Sequence, residues 1–231
     1  MHEALSERVA GSVAVVFDLD DTLLDHERWS LDRFANVAID LGMSSAEEVT
    51  FLQVCRARLM QHEWTGLVEE IAGATCVPFD VLQESYSRQV GTDAAVVAHS
   101  RECVRSLREA GVPVGVLSNN PSWQGVQNKL AVFGVPLDAV VAVWHEQRKP
   151  AADGFMQIAE QLGVPVSGLV MVGDDGERDI VGALRAGCQR AVHVALTDGR
   201  RDRSYRDSLS VEQLDRCVEI FSLRGLHAAL W

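Results

Sequence analysis

The sequence predicts an α/β protein with a doubly wound parallel sheet and an inserted all-helical subdomain. Short apolar runs alternate with helical patterns from about residue 99 onwards, and such alternation favours a parallel sheet with helices on both faces. One further apolar run, 13–17, stands alone near the start of the chain, and 26–98 shows helical patterns only. We therefore expect a core domain of 1–25 and 99–231, interrupted by a helical subdomain of 26–98.

The predicted strands of the core domain are short, rich in β-branched residues and bounded by glycine or polar residues. They lie at 13–17, 112–117, 139–143, 169–172 and 191–195. The helices between them end at glycines, among them Gly134, Gly163 and Gly187, which is a frequent way for a helix to stop. The tail, 211–231, has an apolar spacing that predicts a final helix.

The inserted subdomain begins with apolar residues at helical spacing. Leu31, Phe34, Ala38 and Leu41 predict a helix that stops at Gly42. Three further helices are expected near 49–59, 67–72 and 78–86.

Composition excludes several classes of partner. The 231 residues carry a net charge of −12, which argues against a nucleic-acid polymer and against an anionic membrane surface as partners. A small phosphate ester remains compatible, because a local cation can reverse the field in a pocket. The five cysteines are scattered and odd in number, which is typical of reduced thiols in the cytoplasm. The N-terminal residues lack a signal-peptide pattern, and we expect a cytoplasmic protein.

The most informative residues are Asp18 and Asp20, which directly follow the first predicted strand. Residues two apart in a strand point the same way, so both carboxylates are expected at the carboxyl end of the sheet, where α/β proteins bind ligands. Crowded carboxylates disfavour each other's ionisation unless a cation neutralises them or one holds a proton. Both conditions suit a carboxylate nucleophile beside an acid/base partner. The alternative is that these acids simply open a helix.

Three more polar groups follow three other predicted strands. They are Ser118 with Asn119, Lys149, and Asp174 with Asp179. Each group alone also fits an ordinary turn, a surface loop or a helix cap. Because the carboxyl ends of parallel strands lie along one edge of a sheet, we expect all four groups in one site.

These four motifs, in this order and spacing, resemble those of the haloacid dehalogenase-like hydrolases. Residues 18–23 resemble the family signature D-x-D-x-T-L/V, followed by its serine or threonine, its lysine before proline and its G-D-x-x-x-x-D. The helical insertion directly after the first motif resembles a C1-type cap.

The resemblance implies a Mg²⁺-dependent phosphatase that forms an aspartyl-phosphate. Asp18 would be the nucleophile and Asp20 the acid/base. Mg²⁺ would be bound by the Asp18 carboxylate, the Asp20 backbone carbonyl and Asp174. The phosphate would be bound by Ser118, Asn119 and Lys149, with support from Asp179 and Asp175. Asp175 has two interpretations, either the outer shell of the metal or the cap of the next helix. The substrate would be a small phosphorylated metabolite.

Three alternatives share the fold. A 2-haloacid dehalogenase needs no metal, and Asp20 argues against it because dehalogenases of the family have a non-acidic residue two positions after the nucleophile. A phosphomutase would use the same acids but release little phosphate. A phosphoester-binding protein without catalysis is the third alternative.

Overall fold

The computed structural model describes residues 13–59, 66–196 and 203–230. The chain divides into two compact units. The sheet unit comprises 1–24 and 97–231, and the helical unit comprises 25–96. The sequence predicted the helical subdomain at 26–98.

The sheet unit is built on a six-stranded sheet of order β3-β2-β1-β4-β5-β6. All five pairings in it are parallel, so the predicted doubly wound α/β fold is confirmed. The strands are β1 (Ala14–Phe17), β2 (Val114–Ser118), β3 (Ala139–Ala142), β4 (Leu169–Gly173), β5 (Arg190–Val194) and β6 (Cys217–Ile220).

The described residues of the helical unit form four α-helices with a small apolar core of their own. They are α1 (His26–Asp40), α2 (Ser45–Leu59), α3 (Leu67–Thr75) and α4 (Phe79–Arg88). Phe34 is fully buried there, stacked on Tyr86 with ring centroids 4.5 Å apart and edge-on to Phe51 at 6.0 Å. The Phe34 position on the apolar side of α1 agrees with the spacing from which this helix was predicted.

Helices of the sheet unit connect successive strands, as the alternation predicted, and a last helix follows β6. They are α5 (Ser100–Glu109), α6 (Trp123–Phe133), α7 (Ala152–Leu162), α8 (Gly182–Ala186), α9 (Val211–Asp215) and α10 (Leu226–Leu230). A π-helical turn, Gly176–Val181, leads directly into α8. In the described residues, no helix is both long enough and apolar enough to cross a membrane.

Strand β1 lies in the middle of the sheet between β2 and β4, and all four of its residues are buried. A continuous apolar run is what a strand covered on both faces requires. The loops that follow β1, β2 and β4 consequently leave the sheet side by side.

The prediction for the tail is wrong in its centre. Residues Cys217–Ile220 form β6, which extends the sheet beyond β5 by pairing Val192 with Val218. A strand of four residues shows too little alternation to be told from a helical pattern. The pairing also covers the edge that β5 would otherwise expose.

Candidate active site

The first site loop starts at the end of β1. The Asp18 N–H donates to the Val172 carbonyl at 2.9 Å, which continues the β1–β4 pairing and places Asp18 at the carboxyl edge of the sheet. The chain then turns tightly: Asp21 adopts a left-handed conformation with φ of 60°, and its N–H donates to the Leu24 carbonyl at 2.6 Å. The buried Thr22 hydroxyl donates to Asp174 Oδ1 at 3.5 Å, which links this loop to the loop after β4.

Lys149 joins Asp18 to Asp179. Its ammonium Nζ lies 2.6 Å from Asp18 Oδ1 and 2.6 Å from Asp179 Oδ1. The exposed fractions of the side chains are 2% for Lys149, 1% for Asp179 and 14% for Asp18. Ions this deeply buried persist in proteins only when they are paired. Residues from three distant parts of the sequence therefore meet in one ionic cluster, as the four-motif interpretation predicts.

Asn119 holds the backbone of Lys149. Its side-chain amide donates to the Lys149 carbonyl at 3.0 Å and accepts from the Lys149 N–H at 2.8 Å. The side chain of Asn119, which the resemblance assigns to the phosphate, thus positions the lysine in this structure. Ser118, buried at the end of β2, accepts from the Asn120 N–H at 3.2 Å. Because this contact uses the oxygen, the Ser118 hydroxyl proton can be donated to a ligand.

Asp175 caps the π-helical turn. It accepts from the backbone N–H groups of Glu177 and Arg178 and forms an ion pair with the Arg178 side chain at 2.6 Å. These contacts correspond to the helix-cap interpretation of Asp175. Its own N–H donates to Asp179 Oδ2 at 3.1 Å, so both oxygens of Asp179 are engaged. Gly173 permits this packing, since a Cβ there would lie 2.2 Å from Asp179 Oδ2.

The loop after β4 is also held from behind. His193 Nε2 lies 2.9 Å from the carbonyl oxygen of Asp174 and must donate to it, because a carbonyl only accepts. In the neutral ring, Nδ1 then accepts a hydrogen bond from the Tyr205 hydroxyl at 3.1 Å. Burial raises the pKa of Tyr205 to about 12, so this hydroxyl stays protonated. Neither His193 nor Tyr205 was predicted from the sequence.

Burial and charge set the protonation of the cluster. Burial raises the pKa of Asp18 to about 7, against the opposing effect of Lys149 and with further increases from Asp179 and Asp20. Burial alone would lower the pKa of Lys149, but Asp179 and Asp18 outweigh it and hold that pKa above its usual value. The lysine is therefore a permanent cation, and Asp18 needs additional positive charge to be fully ionised at neutral pH.

The residues present fit a divalent cation. Carboxylate oxygens of Asp18, Asp174 and Asp179 all lie within 4.8 Å of one another, and oxygen ligands of this kind are those that Mg²⁺ prefers. The resemblance implies Asp18, Asp174 and the Asp20 backbone carbonyl as ligands, with Asp179 in support. The Asp20 carboxylate itself pairs with Lys129, which is compatible with Asp20 offering only its carbonyl.

Lys129, the partner of Asp20, was not predicted from the sequence. The signal that could have found it is the scarcity of lysine, since 129 and 149 are the only lysine positions among 21 lysine and arginine residues. With Lys129 included, the carboxylates of Asp18, Asp20, Asp174 and Asp179 face two ammonium groups. If all four carboxylates are ionised, two negative charges remain uncompensated, and one divalent cation would neutralise them.

A family model for the haloacid dehalogenase-like hydrolases matches residues 13–187. The chain belongs to this family. The matched range includes the residues from Asp18 to Asp179 that form the candidate site.

Individual relatives agree with this membership. A phosphoglycolate phosphatase of Xanthomonas campestris is 29% identical over 182 residues, which cover 75% of this hydrolase and 79% of the relative. A phosphatase of the family from Thermococcus onnurineus, solved as a crystal structure, is 25% identical with a TM-score of 0.57, covering 94% of this chain and 97% of that one. These similarities support phosphoester hydrolysis as the class of reaction and confirm the expectation of a phosphatase of this family.

The same fold also carries a different reaction. A 2-haloacid dehalogenase from Pseudomonas syringae has a TM-score of 0.56 at 21% identity, covering 95% of this hydrolase and 98% of that chain. At this identity the likeness shows the fold alone. The choice between the two reactions therefore depends on side chains and not on the fold.

Proposed function

We propose that this hydrolase cleaves a small phosphomonoester through an aspartyl-phosphate on Asp18. The observation that carries the proposal is the buried Lys149, whose ammonium lies 2.6 Å from both Asp18 and Asp179. A carboxylate nucleophile needs no base, but an anionic phosphate repels it. A fixed cation beside the attacking oxygen offsets that repulsion.

The reaction has two displacements. In the first, an Asp18 oxygen bonds to phosphorus, the ester P–O bond breaks, and Asp20 gives its proton to the departing oxygen. In the second, Asp20 takes a proton from water as the water oxygen bonds to phosphorus, and the bond from phosphorus to Asp18 breaks to release phosphate. A positioned acid/base contributes about 10²–10⁴-fold to such a reaction.

Two side chains are assigned to the phosphoryl group. The Ser118 hydroxyl donates to it, and Lys149 neutralises its charge. Asn119 acts through the two hydrogen bonds that position the Lys149 backbone. Asp179 orients the Lys149 ammonium, and Asp175 supports Asp179 through its N–H.

Mg²⁺ is the proposed metal, held by the carboxylates of Asp18 and Asp174 and the backbone carbonyl of Asp20. The spacing of the Asp18 and Asp174 carboxylates within 4.8 Å supports this assignment. When bound, the ion would supply positive charge that lowers the pKa of Asp18 and offsets the charge of the substrate.

Phosphoglycolate is the first substrate to test, because relatives that are 26–29% identical are phosphoglycolate phosphatases. We assign the helical unit to the role of a C1-type cap that selects the leaving group. The five free cysteines favour the reducing cytoplasm as the compartment.

The deciding experiment is phosphate release from a panel of phosphomonoesters, with and without Mg²⁺, for the wild type and Asp18→Asn. We expect Mg²⁺-dependent release that the variant lowers by at least about 10³-fold, since it removes the nucleophile. Asp21→Asn is the matched control: it makes the same change three residues away, at a left-handed position that asparagine tolerates, and it should remain active.

A folded, fully active Asp18→Asn would refute the mechanism. Chloride release from 2-chloropropionate without Mg²⁺ would identify a dehalogenase. Phosphoryl transfer between sugar positions with little free phosphate would identify a phosphomutase, and tight ligand binding without turnover would identify a binding protein.

A further inference from the structure

Lys129 occupies a position where a charged residue is costly. It lies in α6, on the buried side of the helix with Val126 and Phe133, and only 3% of its side chain is exposed. The spacing 126, 129 and 133 is that of a single helix face, and apolar residues are expected there. A lysine at such a position needs a partner that justifies its burial.

That partner is Asp20. The Lys129 ammonium forms an ion pair with Asp20 Oδ1, and the Asp20 side chain is 25% exposed. The two residues are 109 positions apart, so the contact is made by the fold and not by local sequence. Helix α6 holds Lys129 in place: the Ser122 side chain caps its start at the Gly125 N–H, and Gly134 ends it with φ of 65°.

The use of lysine in this chain is selective. Positions 129 and 149 are the only lysines among 21 lysine and arginine residues. Both are buried, and each contacts one of the two aspartates that follow β1. Arginine provides the positive charge everywhere else in the sequence, whereas the compact ammonium of lysine suits a small buried site that a planar guanidinium would overfill.

We infer that Lys129 is a positioning residue for Asp20. This inference rests on the proposed function, in which Asp20 moves the proton to the leaving oxygen. By holding Oδ1, Lys129 fixes the plane of the carboxylate and hence the direction of Oδ2 toward the reacting group. A displacement of about 1 Å at such a group can cost about 10²-fold in rate.

The test exploits the leaving group. An alkyl phosphate such as phosphoglycolate needs a proton on its departing oxygen, whereas p-nitrophenolate departs without one. We expect Lys129→Met, which keeps length and removes charge, to lower kcat/KM about 10²-fold for the alkyl ester and by less than about tenfold for p-nitrophenyl phosphate. Asp20→Asn should likewise lose more activity toward the alkyl ester than toward p-nitrophenyl phosphate. Lys129→Arg should recover part of the alkyl-ester activity.

The double variant identifies the route of the effect. If Lys129 acts through Asp20, adding Lys129→Met to Asp20→Asn changes kcat/KM little beyond the single Asp20→Asn loss. Gln127→Met places the same new side chain at an exposed position of α6 and should leave kcat/KM for both substrates unchanged. Circular dichroism of each variant verifies the fold.

A second measurement does not depend on turnover. Protein labelled with ¹⁵N-lysine has only two lysine side chains, and the Lys129→Arg variant identifies the signal of position 129. Asp20→Asn should shift that signal more than the signal of Lys149.

Two sets of outcomes overturn the inference. Lys129 would be a structural ion only if both esters showed equal losses of kcat/KM, or if the losses multiplied in the double variant. In that case the proposed function would still hold, provided that the wild type is active and requires Asp18. A wild type without phosphate release from any ester would overturn both.

Discussion

The sheet unit and the helical unit use charged side chains differently. In the sheet unit, Lys149 and Asp179 form an ion pair with exposed fractions of 2% and 1%. In the helical unit, the pair of Arg88 with Asp40 is exposed to 56% and 39%. Desolvating ions costs several kcal/mol each, and a pair repays this only with good geometry, whereas exposed pairs contribute about 0–1 kcal/mol. The buried ion pairs of the sheet unit therefore lie at the candidate site, whereas exposed pairs such as Arg185 with Glu177 and Arg88 with Asp40 occur in both units.

The core of the helical unit, in contrast, consists of packed apolar and aromatic side chains. The stacked pair of Phe34 and Tyr86 is extended by Arg33, whose guanidinium lies 3.7 Å from the centroid of the Tyr86 ring. The Arg33 side chain also donates to the Tyr86 carbonyl at 2.7 Å. The Arg33 side chain of the helical unit thus rests on an aromatic ring.

The largest predicted effect comes from breaking the buried cluster at its cation. Lys149→Met would leave Asp18 and Asp179 buried without their ammonium partner, and removing one member of a buried ion pair costs about 3–5 kcal/mol. For a chain of this size we expect the Tm to fall by about 10 °C, together with loss of phosphate release. Thermal unfolding followed by circular dichroism measures the change.

A second substitution separates charge from packing in that result. If unpaired carboxylates cause the loss, adding Asp18→Asn to Lys149→Met removes one of them and should recover part of the Tm. A double variant no more stable than Lys149→Met would show that lost packing around the lysine stem is the cause.

A smaller effect is expected from pH. Burial raises the pKa of Asp18 to about 7 in the folded protein, against about 4 in an unfolded chain. The folded state therefore binds this proton more tightly, and the resulting stability is fully present below about pH 4 and is lost as the pH rises through about 7. In metal-free protein, the Tm of Asp18→Asn minus that of the wild type should thus be more positive at pH 8 than at pH 5, whatever the constant effect of the lost ion pair.

Unfolding in the presence of a chelator, at both pH values and for both proteins, measures this difference. The same Tm difference between wild type and variant at pH 5 and pH 8 would contradict the raised pKa. Adding Mg²⁺ should reduce the difference at pH 8, because a bound cation favours the ionised form of Asp18.

The same contrast explains what the sequence could predict. Strands β1 to β5 were predictable because each has a short apolar run with clear ends, and Asp18, Ser118 and Asp174 lie just where the runs of β1, β2 and β4 stop. Sheet order brings those ends together, so the candidate cluster followed from topology alone. Strand β6 was missed because four residues carry too little periodicity.

Side-chain partners over long separations were not predictable in this way. Asn119 has the residue type and position of a phosphate ligand, but its hydrogen bonds to Lys149 depend on where a loop 30 residues later passes. Lys129 sits on an otherwise apolar helix face, and only the fold shows that Asp20 meets it. Both contacts are tertiary, and local spacing carries no information about them.

The smallest predicted effect is on the surface of the helical unit. Arg88 forms ion pairs with Asp40 at 3.0 Å and with Glu84 at 2.7 Å, and hydrogen bonds from Ser85 and Arg88 lower the pKa of Asp40. Because solvent screens these exposed groups, Arg88→Ala should change the Tm by less than about 2 °C and leave kcat for a small phosphomonoester unchanged. The buried Ser85 hydroxyl keeps its bond to Asp40 at 2.6 Å in the variant, which limits the loss further. A Tm fall as large as that of Lys149→Met would show that exposed pairs in the helical unit carry as much stability as the buried cluster, and the contrast between the two units would not hold.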